Sequence, residues 1–135
     1  MYRIFSDGGS RGNPGPSAFA VVVTRDGEII YEHAEFLGVH TNNYAEYRGL
    51  LAGIAKALEL HADDVEFVMD SQLVIRQMTG QYQVKSLAVK DLYSDAKSLV
   101  AQIPHARFTN VRRSELLIPR ADALLNAEMD RHTPS

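Results

Sequence analysis

The chain has 135 residues, with 14 basic and 17 acidic side chains, a formal net charge of −3 and no cysteine. That length fits one domain with its own core, and the lack of cysteine excludes disulfides, thiolate metal sites and cysteine nucleophiles, which leaves oxygen ligands as the strong route to a metal and suits a cytoplasmic location. The charge balance excludes a molecule-wide electrostatic grip on nucleic acid, and the longest apolar run, AFAVVV, is far too short to cross a bilayer, so a soluble protein without a membrane partner is expected.

In chain order, YRIFSD (2–7) and SAFAVVVT (17–24) read as strands from their β-branched and aromatic content. EIIYEHAEFLG (28–38) follows an Asp26-Gly27 pair that signals a hairpin, so the first three strands form an antiparallel meander. A helix is predicted from Thr41 to about His61: Thr41, Asn42 and Asn43 are N-cap types, and Tyr47, Leu51, Ile54 and Leu58 recur at helical spacing. Gly49, Gly53 and Ala57 make a smooth stripe on it, suited to a close approach to a sheet. VEFVMD (65–70) is a fourth strand, with Val65, Phe67 and Met69 on one face. Ser71 opens a short helix that Gly80 ends, and a further helix covers roughly Val89 to Gln102. ARFTNV (106–111) is a fifth strand and RADALLNAEMD (120–130) a closing helix. One domain over 1–130 and a flexible tail, RHTPS (131–135), complete the expectation. A helix separates strands one and four, so they can be parallel neighbours; the fold class is α/β, a five-stranded mixed sheet with helices on both faces.

Four acids stand out in that frame. Asp7 closes the first strand and Asp70 the fourth, so both carboxylates emerge at the same sheet end, where ligand sites of open α/β sheets lie. Glu46 and Asp122 are expected in the first turns of their helices, where the macrodipole favours negative charge. Helical steps from Glu46 reach Leu50, Gly53 and Ala57, which turns its carboxylate inward. Each acid alone has a plain structural role as turn former, cap or dipole partner. Together they would repel unless a cation neutralised them, and carboxylates with water suit Mg²⁺ or Mn²⁺.

SDGGSRGNPGPSA, TNNYAEYRGLLAGI, MDSQLVIRQMTG and ADALLNAEMD resemble the four acidic blocks of type 1 ribonuclease H in its compact bacterial and archaeal form, in the same order and over nearly the whole chain. The resemblance implies the ribonuclease H-like fold and a metal-dependent endonuclease that cuts the RNA strand of RNA/DNA hybrids, leaving 3′-hydroxyl and 5′-phosphate ends. It implies that Asp7, Glu46, Asp70 and Asp122 are the catalytic and metal-binding residues, holding two Mg²⁺ ions, with Mn²⁺ as substitute. It further implies backbone contacts to RNA at Gly8, Gly9 and Ser10, minor-groove contacts from Asn13, Asn43 and Gln72, and a DNA phosphate held by Thr41. The expected partner is the hybrid alone, met by a monomer.

The last block departs from the family pattern. Related sequences read Val-Pro-Arg, then an asparagine, then Ala-Asp, whereas NVRRSELLIPRAD carries what look like two extra residues and lacks that asparagine. Residues 111–121 also lack the histidine that many members carry here, and Arg112 and Arg113 stand in its region as candidate phosphate ligands. The alternative function is a catalytically silent hybrid- or duplex-binding module of the same fold. Against it stand the acids, since clustered negative charge without metals gives a binder of polyanions nothing. The sequence leaves open whether double-stranded RNA is also cut.

Overall fold

The computed structural model describes residues 1–133. The chain forms β1 (Tyr2–Ser10), β2 (Gly15–Arg25), β3 (Glu28–His40), α1 (Asn42–Glu59), β4 (Asp64–Met69), α2 (Gln72–Met78), α3 (Leu87–Val100), β5 (His105–Asn110) and α4 (Ile118–His132). The five strands form one sheet in the order β3-β2-β1-β4-β5, in which β1 pairs antiparallel with β2 and parallel with β4. This is the expected mixed sheet. Among the described residues no helix is long and apolar enough to cross a membrane.

Strand periodicity divides the core in two. Ile4, Phe19, Val21, Val23, Val65, Phe67 and Met69 face α1, α2 and α3, whereas Phe5, Ala18, Ala20, Val22 and Val68 face α4. The stripe on α1 lies against β1: a Cβ built on Gly53 would fall 2.8 Å from Ile4 Cγ2, and one on Gly49 would fall 3.2 Å from the Asp7 carbonyl oxygen. Helix and strand therefore approach more closely there than larger residues would allow.

The hairpin at Asp26-Gly27 forms as expected, with φ of 50° and 87° at the two central residues, the left-handed pair that suits the twist of the flanking strands. Thr41 caps α1, its hydroxyl accepting from the Tyr44 N–H at 3.2 Å, and Ser71 caps α2 in the same way, accepting from Val74 N–H at 3.3 Å.

Most boundaries shift by one or two residues, and the differences in β1 and α4 bear on the site. β1 does not end at Asp7 but continues to Ser10, because its antiparallel ladder with β2 runs on through Asp7↔Ala20 to Ser10↔Ser17. α4 starts at Ile118, before the expected Arg120, since Pro119 sits in the first two helical positions, where a missing N–H does no harm. α4 also runs to His132, so Arg131 and His132 of the expected tail are helical, and Thr133 N–H closes the end on Met129 O at 2.8 Å. The tail residues Pro134 and Ser135 lie outside the described residues.

Candidate active site

The parallel pairing of β1 with β4 runs from Tyr2↔Val65 to Phe5↔Val68 and then stops, so the two strands part at their C-terminal ends. Asp7 and Asp70 stand at that opening. Asp7 shares the parity of Arg3 and Phe5 and lies on the α4 side of the sheet; Asp70, two residues after Val68, does the same. Asp122 projects from α4 on that side.

Glu46 arrives from the opposite face, around the end of the sheet. What lets it in is Gly8: a Cβ there would fall 2.4 Å from the Ala45 carbonyl carbon and 2.5 Å from the Glu46 nitrogen. Only glycine permits this contact of β1 with α1. Neither Glu46 nor Asp122 lies in a first helical turn, contrary to expectation. Both helices start four residues earlier, at Asn42 and Ile118, so the two acids occupy equivalent second-turn positions and the helix dipole does not account for them.

The four acids line one cavity of about 360 Å³, together with Gly8, Gly9, Ser10, Arg11, Asn42, Arg113, Leu125, Asn126 and Met129. Its lining is mainly polar. A second, apolar cavity of about 440 Å³, between Met1, Arg3, Phe5, Thr24 and Leu117, contains none of the acids.

Burial dominates the electrostatics. Asp7 is only 6 % exposed, and desolvation, with Asp70, Asp122 and Glu46 adding repulsion in that order, pushes its pKa up to about 8 against the pull of the Gly8 N–H. Glu46 is pushed up to about 7 by desolvation and by Asp70, while the Ser71 hydroxyl pulls it down. Desolvation also raises Asp70, opposed in part by the Arg113 guanidinium. Asp7 alone feels all three other acids, which marks it as the centre of the cluster. Glu46 Oε2 is, among the described residues, the only buried side-chain oxygen or nitrogen without a hydrogen-bond partner. A buried carboxylate oxygen left unpaired is costly unless something cationic meets it. Among the described residues no three such side chains close into a ready metal cage, although Asp7 and Asp70 come within hydrogen-bonding reach of each other.

Of the expected substrate-binding residues, the fold brings Gly8, Gly9, Ser10 and Arg113 into the cavity with the acids. Arg113 approaches Asp122 at 3.9 Å. Asn13, Thr41, Asn43, Gln72 and Arg112 lie outside its lining. Asn13 Oδ1 accepts from the Asn42 N–H at 3.1 Å, and Asn42 Oδ1 in turn accepts from the Ser10 N–H at 2.8 Å, which ties the β1–β2 turn to the start of α1. Ser10 therefore spends its amide inside the protein. Asn43 and Gln72 are exposed in the first turns of α1 and α2, and Arg112 is exposed and pairs with Glu115 at 3.7 Å. Sequence reasoning missed Arg11 and Asn126 as lining residues and took Asn42 only as a capping type. Asn126 was findable, since it lies four residues after Asp122 on the same helix face; Arg11 had only its place beside Ser10 to mark it.

A mixed sheet in this order, with helices on both faces and acids gathered where β1 and β4 part, is the ribonuclease H-like fold. The reverse transcriptase-like family matches residues 5–123. RNase H1 of the halophilic archaeon Halobacterium salinarum superposes with a TM-score of 0.90 at 37 % identity, covering 96 % of this chain and 98 % of that one. LC11-RNase H1, solved in complex with an RNA/DNA hybrid, superposes with a TM-score of 0.90 at 34 % identity, covering 98 % and 99 %. The bifunctional protein Rv2228c of Mycobacterium tuberculosis is 43 % identical over 129 residues, which are 94 % of this chain and 35 % of that protein. The chain thus belongs to the type 1 ribonuclease H family, and it spans about a third of the length of the curated relatives it matches first.

Proposed function

We propose that the chain is a metal-dependent endonuclease that hydrolyses the RNA strand of RNA/DNA hybrids. The observation that carries this reading is the meeting of Asp7, Glu46, Asp70 and Asp122 in one polar cavity, with Glu46 Oε2 buried and unpaired. All four offer hard oxygen donors, and their mutual repulsion is what a divalent cation relieves. The donor set fits Mg²⁺, with Mn²⁺ as a substitute: Asp7, at the centre, would be shared by two ions, and Glu46, Asp70 and Asp122 would complete their shells. When bound, such a pair supplies a water ionised at neutral pH and steadies the charge on the departing 3′-oxygen. Water adds to phosphorus, the bond from phosphorus to O3′ breaks, and the products are a 3′-hydroxyl and a 5′-phosphate.

The protein's own groups position the hybrid. Gly9, without a side chain, leaves the backbone beside the acids open to an RNA strand, and Gly8, packed against α1, would offer only its backbone there. Asn13, Asn43 and Gln72 would read the shallow minor groove, where 2′-hydroxyls are displayed. Thr41 supports one DNA phosphate while capping α1, and Arg112 and Arg113 offer planar donors to others. A chain with net charge −3 has few cations to spare for phosphates, so its electrostatic grip on the hybrid is weak.

The deciding experiment offers labelled RNA/DNA hybrid, double-stranded RNA and single strands side by side, with Mg²⁺, with Mn²⁺ and with chelator. Cleavage of the hybrid's RNA strand that needs the metal is expected. Cutting that persists in excess chelator rejects the metal mechanism, and hybrid binding without any cutting favours the silent module.

A further inference from the structure

The β1–β2 turn is held on its other side by a contact that the acid chemistry does not require. Arg11 Nη2 lies 2.6 Å from Asp130 Oδ1 and also donates to the Asn126 carbonyl oxygen at 3.4 Å and to Asn126 Oδ1 at 3.3 Å, while Nη1 reaches Thr133 Oγ1 at 3.4 Å. One guanidinium thus spans from the turn to the last two turns of α4, across a separation of 115 residues to Asn126. Asn126 in turn donates from Nδ2 to the carbonyl oxygen of Asp122 at 2.9 Å. An isolated surface ion pair would be worth little. Here a planar fork engages several acceptors at once, which fixes geometry as well as charge.

We propose that Arg11 is a positioning residue that locks α4, and with it Asp122, against the turn bearing Gly8, Gly9 and Ser10. The inference rests on the nuclease reading of the cavity. α4 bears a catalytic acid and is held to the sheet by the smaller of the two cores, by Arg120 paired with Glu32 of β3 and by His132 stacked on Phe36. Arg11 adds a tie to the turn beside the acids, which limits how far Asp122 can move relative to that turn. Arg11 and Arg113 are the two cations lining the cavity, and only Arg11 is committed to α4 by several bonds. The competing role for such a cation is direct contact with an RNA phosphate. The two roles differ in what removal of Asp130 does: it breaks the bridge in one case and frees the guanidinium for phosphate in the other.

The test uses the full chain with labelled hybrid and Mg²⁺. Arg11→Ala is expected to lower kcat about tenfold with KM changed by less than about twofold, as for a misplaced catalytic group. Asp130→Ala lowers kcat similarly, the double variant falls no further than the worse single one, and Arg11→Lys recovers part of the loss. A rise in KM at unchanged kcat in Arg11→Ala, or full activity in Asp130→Ala, overturns the proposal. Independently of catalysis, amide exchange across residues 126–132 should speed up about tenfold in Arg11→Ala and stay unchanged in Arg113→Ala; unchanged exchange in Arg11→Ala also overturns it. A parent chain that cuts no hybrid defeats the nuclease reading, and the exchange measurement then decides by itself whether the bridge holds α4.

Discussion

Gly8 and Ala45 touch backbone to backbone: a Cβ on Gly8 would sit 2.4 Å from the Ala45 carbonyl carbon, with no flexible side chain to yield. Substitution must therefore push α1 off β1 at the point where Glu46 enters the cavity. Gly8→Ala is expected to cost about 3 kcal/mol of stability and on the order of a hundredfold in cleavage. Gly53→Ala is the control. Its Cβ would meet Ile4 Cγ2 at 2.8 Å, the branch methyl of a buried side chain that is stiff at χ1, so stability is again lost, by about 2 kcal/mol after the gain in helix propensity, but the contact lies two turns beyond Glu46 and activity is retained. Denaturant unfolding and hybrid cleavage on both variants separate the two outcomes.

Asp70→Asn keeps the size of the side chain and removes its charge. Folding and hybrid binding are expected to persist while cleavage falls on the order of a thousandfold or more. Undiminished cutting by this variant would remove Asp70 from the mechanism.

In chelator, the raised pKa values turn into a slope of stability with pH. Asp7 moves from an ordinary 3.8 to about 8 and Glu46 from 4.5 to about 7 on folding. Between those limits the folded chain binds more protons than the unfolded one, so stability falls as pH rises. Thermal melts of the metal-free protein should show a midpoint that drops between about pH 4 and pH 8, with a shallower drop in Asp7→Asn. Saturating Mg²⁺ offsets the drop, because metal binding favours the deprotonated carboxylates. An identical slope in Asp7→Asn and the parent would show that the buried acid is not its source.

Ser71 joins two tasks, capping α2 and drawing Glu46 toward its ionised form. Ser71→Ala is expected to lose about 1 kcal/mol of stability and to need more Mg²⁺ for half-maximal cleavage at neutral pH. Ser71→Thr, which keeps the hydroxyl, should restore both; a metal titration of the three proteins checks it.

The order of strands and helices was legible because its signals are local: an Asp-Gly turn, hydroxyl caps at Thr41 and Ser71, and apolar residues at period 2 or 3.6. The meeting of Asp7 with Asp70 was legible by one further step, the parallel pairing that a helical crossover allows. What escaped depends on backbone or on distance. β1 runs through Gly8, Gly9 and Ser10 because β2 supplies a ladder, although glycines and a serine carry no strand signal. The start of α4 escaped because Pro119 reads as a breaker until its place in the first turn is known. Arg11 escaped because its partners lie more than a hundred residues away.

The sheet is unevenly clothed. α1, α2 and α3 share one face, but α4 alone covers the other, and beyond it β1, β4 and β5 present a polar ladder of Arg3 with Glu66, Glu66 with Thr109 and Arg107 with Asp64. Glu46 belongs to the thick side and Asp122 to the thin one, so the cluster is sutured from two layers of unequal strength. Warming should lift the thin layer first. Catalysis would then fade, reversibly, over a range in which the thick side and its strands are still intact, and cations held among the four acids would act as stitches that narrow that range.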